Sequence, residues 1–140
     1  MSVGHRSLRL ILVTPETTLL DEPVAELRFP LYDGQIGILP GRTPLVGRLG
    51  YGELKLTRPG GNHASYFIDG GFVQVADNIV SILTNNAVPA EKLDAAAARE
   101  QLAAAQSREA NSPELLAIRD RLQHQARAQI RVAQHAGLAG

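Results

Sequence analysis

The segment from residue 33 to residue 53 constrains the fold more than any other part of the chain, because glycine and proline interrupt it every few residues. Glycine permits sharp turns, whereas proline fixes φ and lacks an N–H donor, so the segment cannot form a helix. Apolar residues fill the intervals, which makes it too apolar for a solvated linker. It therefore predicts short strands that turn around a core, and its only usual catalytic residue types are two acids. The interrupting residues are Gly34, Gly37, Pro40, Gly41, Pro44, Gly47, Gly50 and Gly52.

Composition excludes several classes of protein. With 140 residues, the chain suffices for one domain, or for a small domain with an appendage. The 14 basic and 14 acidic residues balance, which argues against binding nucleic acid through bulk positive charge. Because cysteine is absent, disulfides, thiolate nucleophiles and cysteine metal sites are excluded. No apolar run approaches the roughly 20 residues that span a bilayer, and the start does not read as a signal peptide. We therefore expect a soluble, cytosolic chain that can sit on a membrane complex.

The first half of the chain has the pattern of β-strands. Residues 8–13 are apolar, and apolar and polar residues alternate around 27–31 and 54–57. Turn residues predict hairpins at 58–62 and 76–78, and Asp69-Gly70-Gly71 predicts a break. Short strands with closely spaced turns favour a sandwich or a flattened barrel. The predicted core consists of Leu10, Leu12, Leu27, Phe29, Ile36, Ile38, Leu54, Leu56, Phe72, Val75, Ile79 and Ile82.

The pattern becomes helical after residues 85–89. Alanine-rich sequence favours a first helix, and Ser112-Pro113 predicts the start of a second, with Ser112 as the N-cap. The short connection between them predicts an antiparallel hairpin. The predicted apolar stripes are Ala95, Ala98, Leu102 and Ala105, and then Leu115, Ile118, Leu122, Ala126, Ile130 and Ala133.

The chain therefore divides into a β-sandwich at 1–87 and a helical hairpin at 88–140. Burial of a Leu or Ile side chain contributes roughly 1.5–3 kcal/mol, and burial of an alanine contributes much less. Because the first helix is so rich in alanine, we expect the hairpin to lean on the β domain or on another protein as a movable element.

The sequence predicts no catalytic, cofactor or metal site. His124 and His135 lie near one face of the second helix, but roughly 16 Å apart along it, too far to share a metal. We expect solvated histidines. Asp33, Asp69 and Asp77 each precede Gly or Asn, where turn formation explains them.

Several motifs occur in the order found in one family. The segment Asp33–Leu45 reads Asp-Gly-Gln-Ile-Gly-Ile-Leu-Pro-Gly-Arg-Thr-Pro-Leu, and Asp69-Gly70-Gly71-Phe72 follows it. With Gly52-Glu53-Leu54 and Leu93-Asp94 also in place, the chain resembles the epsilon subunit of bacterial and chloroplast F-type ATP synthases, the counterpart of the mitochondrial delta subunit. The resemblance extends over nearly the whole chain.

The resemblance implies an all-β N-terminal sandwich of about ten short strands and a C-terminal antiparallel α-helical hairpin. It implies a non-catalytic rotor subunit without cofactors, peripheral on the cytoplasmic face of a bacterial inner membrane. The sandwich would link the gamma subunit to the ring of c subunits. The hairpin would either lie on the sandwich or extend toward the alpha and beta subunits, where it restrains ATP hydrolysis.

The resemblance also implies contact residues on the sandwich. The family commonly has His where this chain has Arg42, and well-known members have an acid where it has Gln35, so the rotor contacts should differ in detail. The residues expected to contact gamma and the c-ring are Tyr32, Asp33, Gln35, Arg42 and Pro44.

The last helix carries four arginines, which by themselves suit either a solvated face or a docking face for an acidic partner. They are Arg119, Arg121, Arg127 and Arg131. In the family, such residues approach an acidic segment of the beta subunit. Some members also bind ATP through an Ile/Leu-Asp-x-x-Arg-Ala motif, which here reads Leu93-Asp94-Ala95-Ala96-Ala97-Ala98. Because Ala97 replaces the arginine, the cation expected to meet phosphate is missing, and we expect no ATP site of that kind.

Two readings from other classes stay open. One is a small-molecule-binding β-sandwich module whose glycine-rich loops form a pocket. The other is a hydrolase that uses Asp33 and Asp69.

Overall fold

The computed structural model describes residues 7–139, which form eight strands and two α-helices. The strands are β1 (Leu8–Val13), β2 (Thr18–Val24), β3 (Glu26–Leu31), β4 (Gly34–Ile38), β5 (Leu45–Thr57), β6 (His63–Ala76), β7 (Ile79–Leu83) and β8 (Ala87–Pro89). A 3-10 turn (Ala90–Lys92), α1 (Ala95–Gln106) and α2 (Pro113–Ala139) follow. The predicted β-sandwich followed by a helical hairpin is confirmed, with the sheet continuing to Pro89.

The strands pair in the order β2-β1-β7-β6-β5-β3-β4, and β8 also pairs with β6. The pairing of β1 with β7 is parallel, and the other pairings are antiparallel. The long hairpin of β5 and β6 serves both layers of the sandwich: residues 71–75 of β6 pair with the start of β5, and residues 63–69 pair with its end. About ten short strands were expected; the eight observed include these two long bent strands, and the bend of β6 lies at the predicted break, Asp69-Gly70-Gly71.

Glycines make the bend possible. In β5 the core-facing residues change from Leu49 to Leu54 and Leu56, an odd and then an even series, so the inward face switches near Gly50. Gly70 and Gly71 lie opposite in β6, with φ of 68° and 110°. A Cβ on Gly71 would overlap the carbonyl oxygen of Leu83 and lie 2.8 Å from Cα of Thr84. Only glycine fits this position without displacing the neighbouring backbone.

Most of the predicted core is buried, but two of its members are wrong. Phe72 and Ile79 are 58% and 41% exposed, and Ile36 is only partly buried. Strand alternation explains the error: Val73 and Val75 face inward, so Phe72 must face outward. Core residues that the prediction missed are Leu8, Val24, Leu49, Ile68, Val73 and Val80.

Local signals fix the turns and helix ends. Asp77 and Asn78 have φ of 54° and 63°, which closes the predicted tight hairpin between β6 and β7. The Ser112 hydroxyl accepts a hydrogen bond from the Leu115 N–H at 3.2 Å, as expected of an N-cap. Asp94 caps α1 in the same way: its Oδ1 accepts from the N–H groups of the second and third helical residues at 2.9 and 3.2 Å.

The helical hairpin packs against the sandwich through α2. Ala128 and Val132 of α2 are buried against Phe67 of β6 and Ala90 of the 3-10 turn. In α1, Ala98 and Ala105 are buried and Leu102 is partly buried, which matches the predicted apolar stripe. This docked hairpin confirms the expectation that the alanine-rich helices lean on the β domain.

Candidate partner-binding surfaces

The surface formed by β5, β6, β7 and β1 carries large apolar side chains in adjacent register positions. We call it the outer face and define it by Val46, Phe72, Ile79 and Leu83, with Val13 and Ile11 beside them. Phe72 pairs with Leu83, and Leu83 pairs with Val13, so one apolar row crosses three strands. Val46 is 75% exposed and Leu83 is 49% exposed. Scattered apolar side chains are ordinary on a surface, but a contiguous group marks an interaction site.

An aromatic–cation pair extends this row at its end. Arg48, which pairs with Phe72 across the strands, places its guanidinium carbon 5.1 Å from the ring centre of Tyr32. The Tyr32 N–H also donates to the Arg48 carbonyl at 2.8 Å, which fixes their relative position. Tyrosine and arginine are enriched at protein interfaces, so this pair suits the edge of one.

The five residues predicted to contact gamma and the c-ring fall into two groups. Tyr32, Asp33 and Gln35 are exposed together in and beside the turn between β3 and β4. Arg42 and Pro44 are exposed in the loop at the other end of β4. The sequence therefore located two exposed turns, but it missed the apolar row that crosses β6, β7 and β1. The alternation of Phe72 and Gln74 with two valines was the signal that could have revealed it.

The four arginines of α2 do not form a single face. Arg127 and Arg131, one helical turn apart, are exposed on the same side. Arg121 is exposed elsewhere on the helix, and Arg119 is half-buried, with an Nε that has no hydrogen-bond partner among residues 7–139. Their role in docking on an acidic partner stays a prediction, which Arg127 and Arg131 suit best.

Polar contacts tie α2 to the bend in the sheet. The Asp69 carboxylate accepts from Gln125 Nε2 at 2.8 Å, its carbonyl accepts from Asn85 Nδ2 at 3.0 Å, and its N–H donates to Thr84 Oγ1 at 3.0 Å. These contacts give Asp69 a structural role, which differs from the nucleophile or acid that a hydrolase would need. Among the residues the structure covers, no group of three His, Asp or Glu side chains could hold a metal.

Two further side chains lie at the contact between α2 and the sheet. Burial against the helix raises the pKa of Tyr51 above its usual value, and the Asp69 carboxylate adds to this rise, while Arg121 and Arg48 oppose it. His135 lies 3.2 Å from Glu53 through Nδ1 and Oε1, although its side chain stays 66% exposed. His135 is exposed to solvent, as expected, but the sequence did not predict its contact with Glu53.

Across residues 7–139, neither helix combines the length and apolar character that crossing a bilayer requires.

Known proteins resemble the chain in both sequence and structure. The family model for the ATP synthase delta/epsilon chain β-sandwich domain matches residues 7–90. An ATP synthase epsilon chain of Rhodopirellula baltica is 42% identical over 91% of this chain and 98% of its own length. One from Solibacter usitatus is 39% identical over 78% of this chain and 80% of its own length.

Solved structures agree with the sequence matches. A chain in the Euglena gracilis mitochondrial ATP synthase, in a structure of OSCP, F1 and the c-ring, superposes with a TM-score of 0.79 and 27% identity, over 98% of this chain and 87% of that one. A chain in the structure of the Tetrahymena thermophila mitochondrial ATP synthase central stalk and c-ring superposes with a TM-score of 0.72, over 90% of this chain and 96% of that one. It is 14% identical and supports the fold alone. The chain therefore belongs to the delta/epsilon family of ATP synthase subunits.

Proposed function

We propose that the chain is a non-catalytic rotor subunit of the ATP synthase central stalk. Its sandwich binds the gamma subunit and the c-ring, and its hairpin regulates ATP hydrolysis by leaving the sandwich for the alpha and beta subunits. The complex would hold it peripherally on the cytoplasmic face of a bacterial inner membrane. The observation that carries the proposal is the exposed apolar outer face, which no part of residues 7–139 covers.

The outer face suits a permanent protein partner. Burial of a single Val, Leu or Phe side chain contributes roughly 1.5–3 kcal/mol, so Val46, Phe72 and Leu83 together supply a strong apolar anchor. The Tyr32–Arg48 pair and the exposed turns at Asp33 and Arg42 surround this anchor with polar groups, as the rim of an interface does.

The surface of the sandwich that α2 covers suits a reversible contact. There α2 is held by two large buried side chains, Phe67 and Val132, by alanines, and by the exposed or half-buried contacts of Gln125 and His135. Exposed polar pairs contribute about 1 kcal/mol or less each. A partner that offers the hairpin comparable contacts can therefore release it, because a difference of a few kcal/mol decides the population of the two states.

Binding to gamma tests the first half of the proposal. We expect Val46→Asp and Leu83→Asp to weaken binding of the full chain to purified gamma at least tenfold, since each places a charge in a desolvated contact. Leu116→Asp is the matched control, because Leu116 is 41% exposed but lies on α2, away from the outer face. Unchanged affinity in both outer-face variants, with circular dichroism showing intact folding, would exclude this surface as the gamma contact.

Truncation tests the second half. A chain that ends after Ala90 keeps all eight strands, so we expect it to fold and to bind gamma. Added to gamma with the alpha–beta head, the full chain should slow ATP hydrolysis more than the truncated one. Equal rates would remove the regulatory role and leave the rotor contact standing.

A further inference from the structure

The dipeptide Asp-Gly occurs twice in the chain, as Asp33-Gly34 and as Asp69-Gly70. It is chemically reactive because a glycine after an aspartate has no Cβ to shield its backbone nitrogen from the aspartate carboxyl group. Where the backbone is free to move, that nitrogen can close a five-membered imide ring with the side chain. The two sites contain the same reactive groups, so only their surroundings in the fold differ.

The first site is open to solvent. Asp33 lies in the turn between β3 and β4, and both Asp33 and Gly34 are exposed. Among residues 7–139 the Asp33 carboxylate forms no ion pair. Gly34 has φ of 145°, and no heavy atom outside the adjacent residues lies within 4 Å of the position that a Cβ would take. Both reacting groups therefore have room to approach each other.

The motion that this approach requires is local. Gly34 is the first residue of β4, which ends the strand order of the sheet, and it pairs with Leu31 alone. The end of such an edge strand opens at a much lower free energy than the sheet as a whole. Before the turn, the Tyr32 N–H donates to the Arg48 carbonyl at 2.8 Å, which anchors that side. Movement should therefore concentrate at Asp33 and Gly34.

The second site is held on every side. The Asp69 carboxylate accepts from Gln125 Nε2 at 2.8 Å, and the Asp69 N–H donates to Thr84 Oγ1 at 3.0 Å. Asp69 also pairs with Tyr51 inside the long hairpin of β5 and β6. Ring closure there requires the carboxyl group to leave Gln125 and an interior strand to open, which costs far more than fraying of an edge.

We propose that Asp33 is a modification site, where the Asp33-Gly34 bond rearranges to an isoaspartyl bond, while the fold protects Asp69-Gly70. The Gly34 nitrogen attacks Cγ of the protonated Asp33 carboxyl group. A C–N bond forms, the nitrogen loses its proton and a carboxyl oxygen leaves as water, which gives a cyclic imide. Water then opens the imide: cleavage between nitrogen and Cγ restores aspartate, and cleavage between nitrogen and the α-carbonyl carbon leaves isoaspartate. One water leaves and one enters, so the mass is unchanged.

The product changes the length of the turn. Isoaspartate carries the main chain through Cβ, which adds a carbon atom to the backbone between β3 and β4. The length of a hairpin turn sets the register of its strands. Because Tyr32 is anchored to Arg48, the added atom should displace the start of β4, with Gln35. Under the proposed function this turn meets the c-ring, so isoaspartate would weaken that contact in an aged subunit; this consequence alone rests on the proposed function.

Storage of the full chain at neutral pH and physiological temperature tests the site. Digests taken over several weeks are separated by chromatography, and isoaspartyl peptides of unchanged mass are located by electron-transfer fragmentation. We expect Asp33 to convert at least about tenfold faster than Asp69, because reaction at Asp69 also breaks a hydrogen bond to a charged group. In concentrated urea, which removes the fold, the two sites should convert at similar rates.

Asp33→Glu is the matched variant, because its longer side chain would have to close a less favourable six-membered ring. We expect no rearrangement at position 33 in this variant and unchanged behaviour at Asp69. Conversion at Asp33 no faster than at Asp69 in the folded chain, or conversion of Asp33 in urea alone, would overturn the site.

Binding to a purified complex of gamma and the c-ring tests the consequence. Stored parent chain should bind more weakly than fresh chain, in proportion to its isoaspartate content, and stored Asp33→Glu should bind as tightly as when fresh. Equal binding by stored and fresh parent would overturn the altered contact while the modification site stands. Failure of the fresh chain to bind would instead contradict the proposed function.

Discussion

Replacement of Gly71 by alanine tests the bend on which both surfaces depend. Gly71 has φ of 110°, and an added Cβ would overlap the Leu83 carbonyl oxygen and lie 2.8 Å from Cα of Thr84. Both neighbours are backbone atoms, so no side chain can rotate away. The strand β6 must therefore move from β7, or the bend must open.

The size of the effect follows from two contributions. A non-glycine residue held in an unfavourable φ costs about 1–3 kcal/mol, and forced repacking costs about 1–3 kcal/mol more. Alanine recovers about 0.4–1 kcal/mol by restricting the unfolded chain. The net loss should be about 3 kcal/mol, a large part of the roughly 5–15 kcal/mol that stabilises a typical domain. The melting temperature should fall by about 10 °C.

Two further variants separate strain from overlap. At Gly70 φ is 68°, but an added Cβ would make only ordinary contacts, at 3.6 Å from the Tyr51 ring, so Gly70→Ala should cost about 1–2 kcal/mol. Gly60 has open space around it and serves as the control, with no expected loss. In urea unfolding, the loss of unfolding free energy should be largest for Gly71→Ala, smaller for Gly70→Ala and absent for Gly60→Ala. A Gly71→Ala protein within 2 °C of the parent, by the same scale of about 3 °C per kcal/mol, would refute the reasoning.

Three other substitutions test contacts of the helices. Because the folded-state pKa of Tyr51 is raised, its neutral phenol stabilises the fold below the unfolded pKa near 10, and this stabilisation is lost as pH rises through the folded pKa. In a titration followed at 295 nm, Tyr51 should therefore be the last tyrosine to ionise. The free energy of unfolding in urea should depend less on alkaline pH in Tyr51→Phe than in the parent, and equal dependence would contradict the assignment. Asp94→Ala removes the N-cap of α1 and should lower the free energy of unfolding by about 1 kcal/mol, with faster amide exchange at the start of α1. The control is Asp120→Ala, an exposed substitution within α2, which should leave amide exchange at the start of α1 unchanged. Gln125→Ala should increase proteolysis between the sandwich and the hairpin without changing the melting of a chain truncated after Ala90, and unaltered cleavage would show that the bond to Asp69 does not hold the docked state.

Local chemistry made much of the fold predictable. The turns at 58–62 and 76–78, the cap at Ser112 and the apolar stripes of the helices each depend on neighbouring residues, and each is present. The assignment of Phe72 to the core failed because the inward face of β6 changes at Gly70 and Gly71. A period of two, counted from one end of the strand, gives the wrong face beyond such a bend. The assignment of Ile79 failed because Val80 and Ile82 are the inward-facing residues of β7.

The candidate surfaces were less predictable for a related reason. Tyr32 and Gln35 could be recognised as exposed because they stand beside turn residues. The outer face joins residues from four strands, and its continuity depends on registers such as Phe72 with Leu83, which no local pattern contains.

The parallel pairing of β1 with β7 has a consequence for synthesis of the chain. Leu12 pairs with Ile82 and Val13 with Leu83, so the first strand made occupies an interior place between β2 and one of the last strands made. Until β7 has left the ribosome, β1 presents Leu10 and Leu12 without their final neighbours. Contacts so distant in sequence slow folding and expose apolar surface meanwhile. The newborn chain should therefore depend on a chaperone until translation has passed β7, and a fusion or deletion at its beginning should harm the sheet more than one at its end.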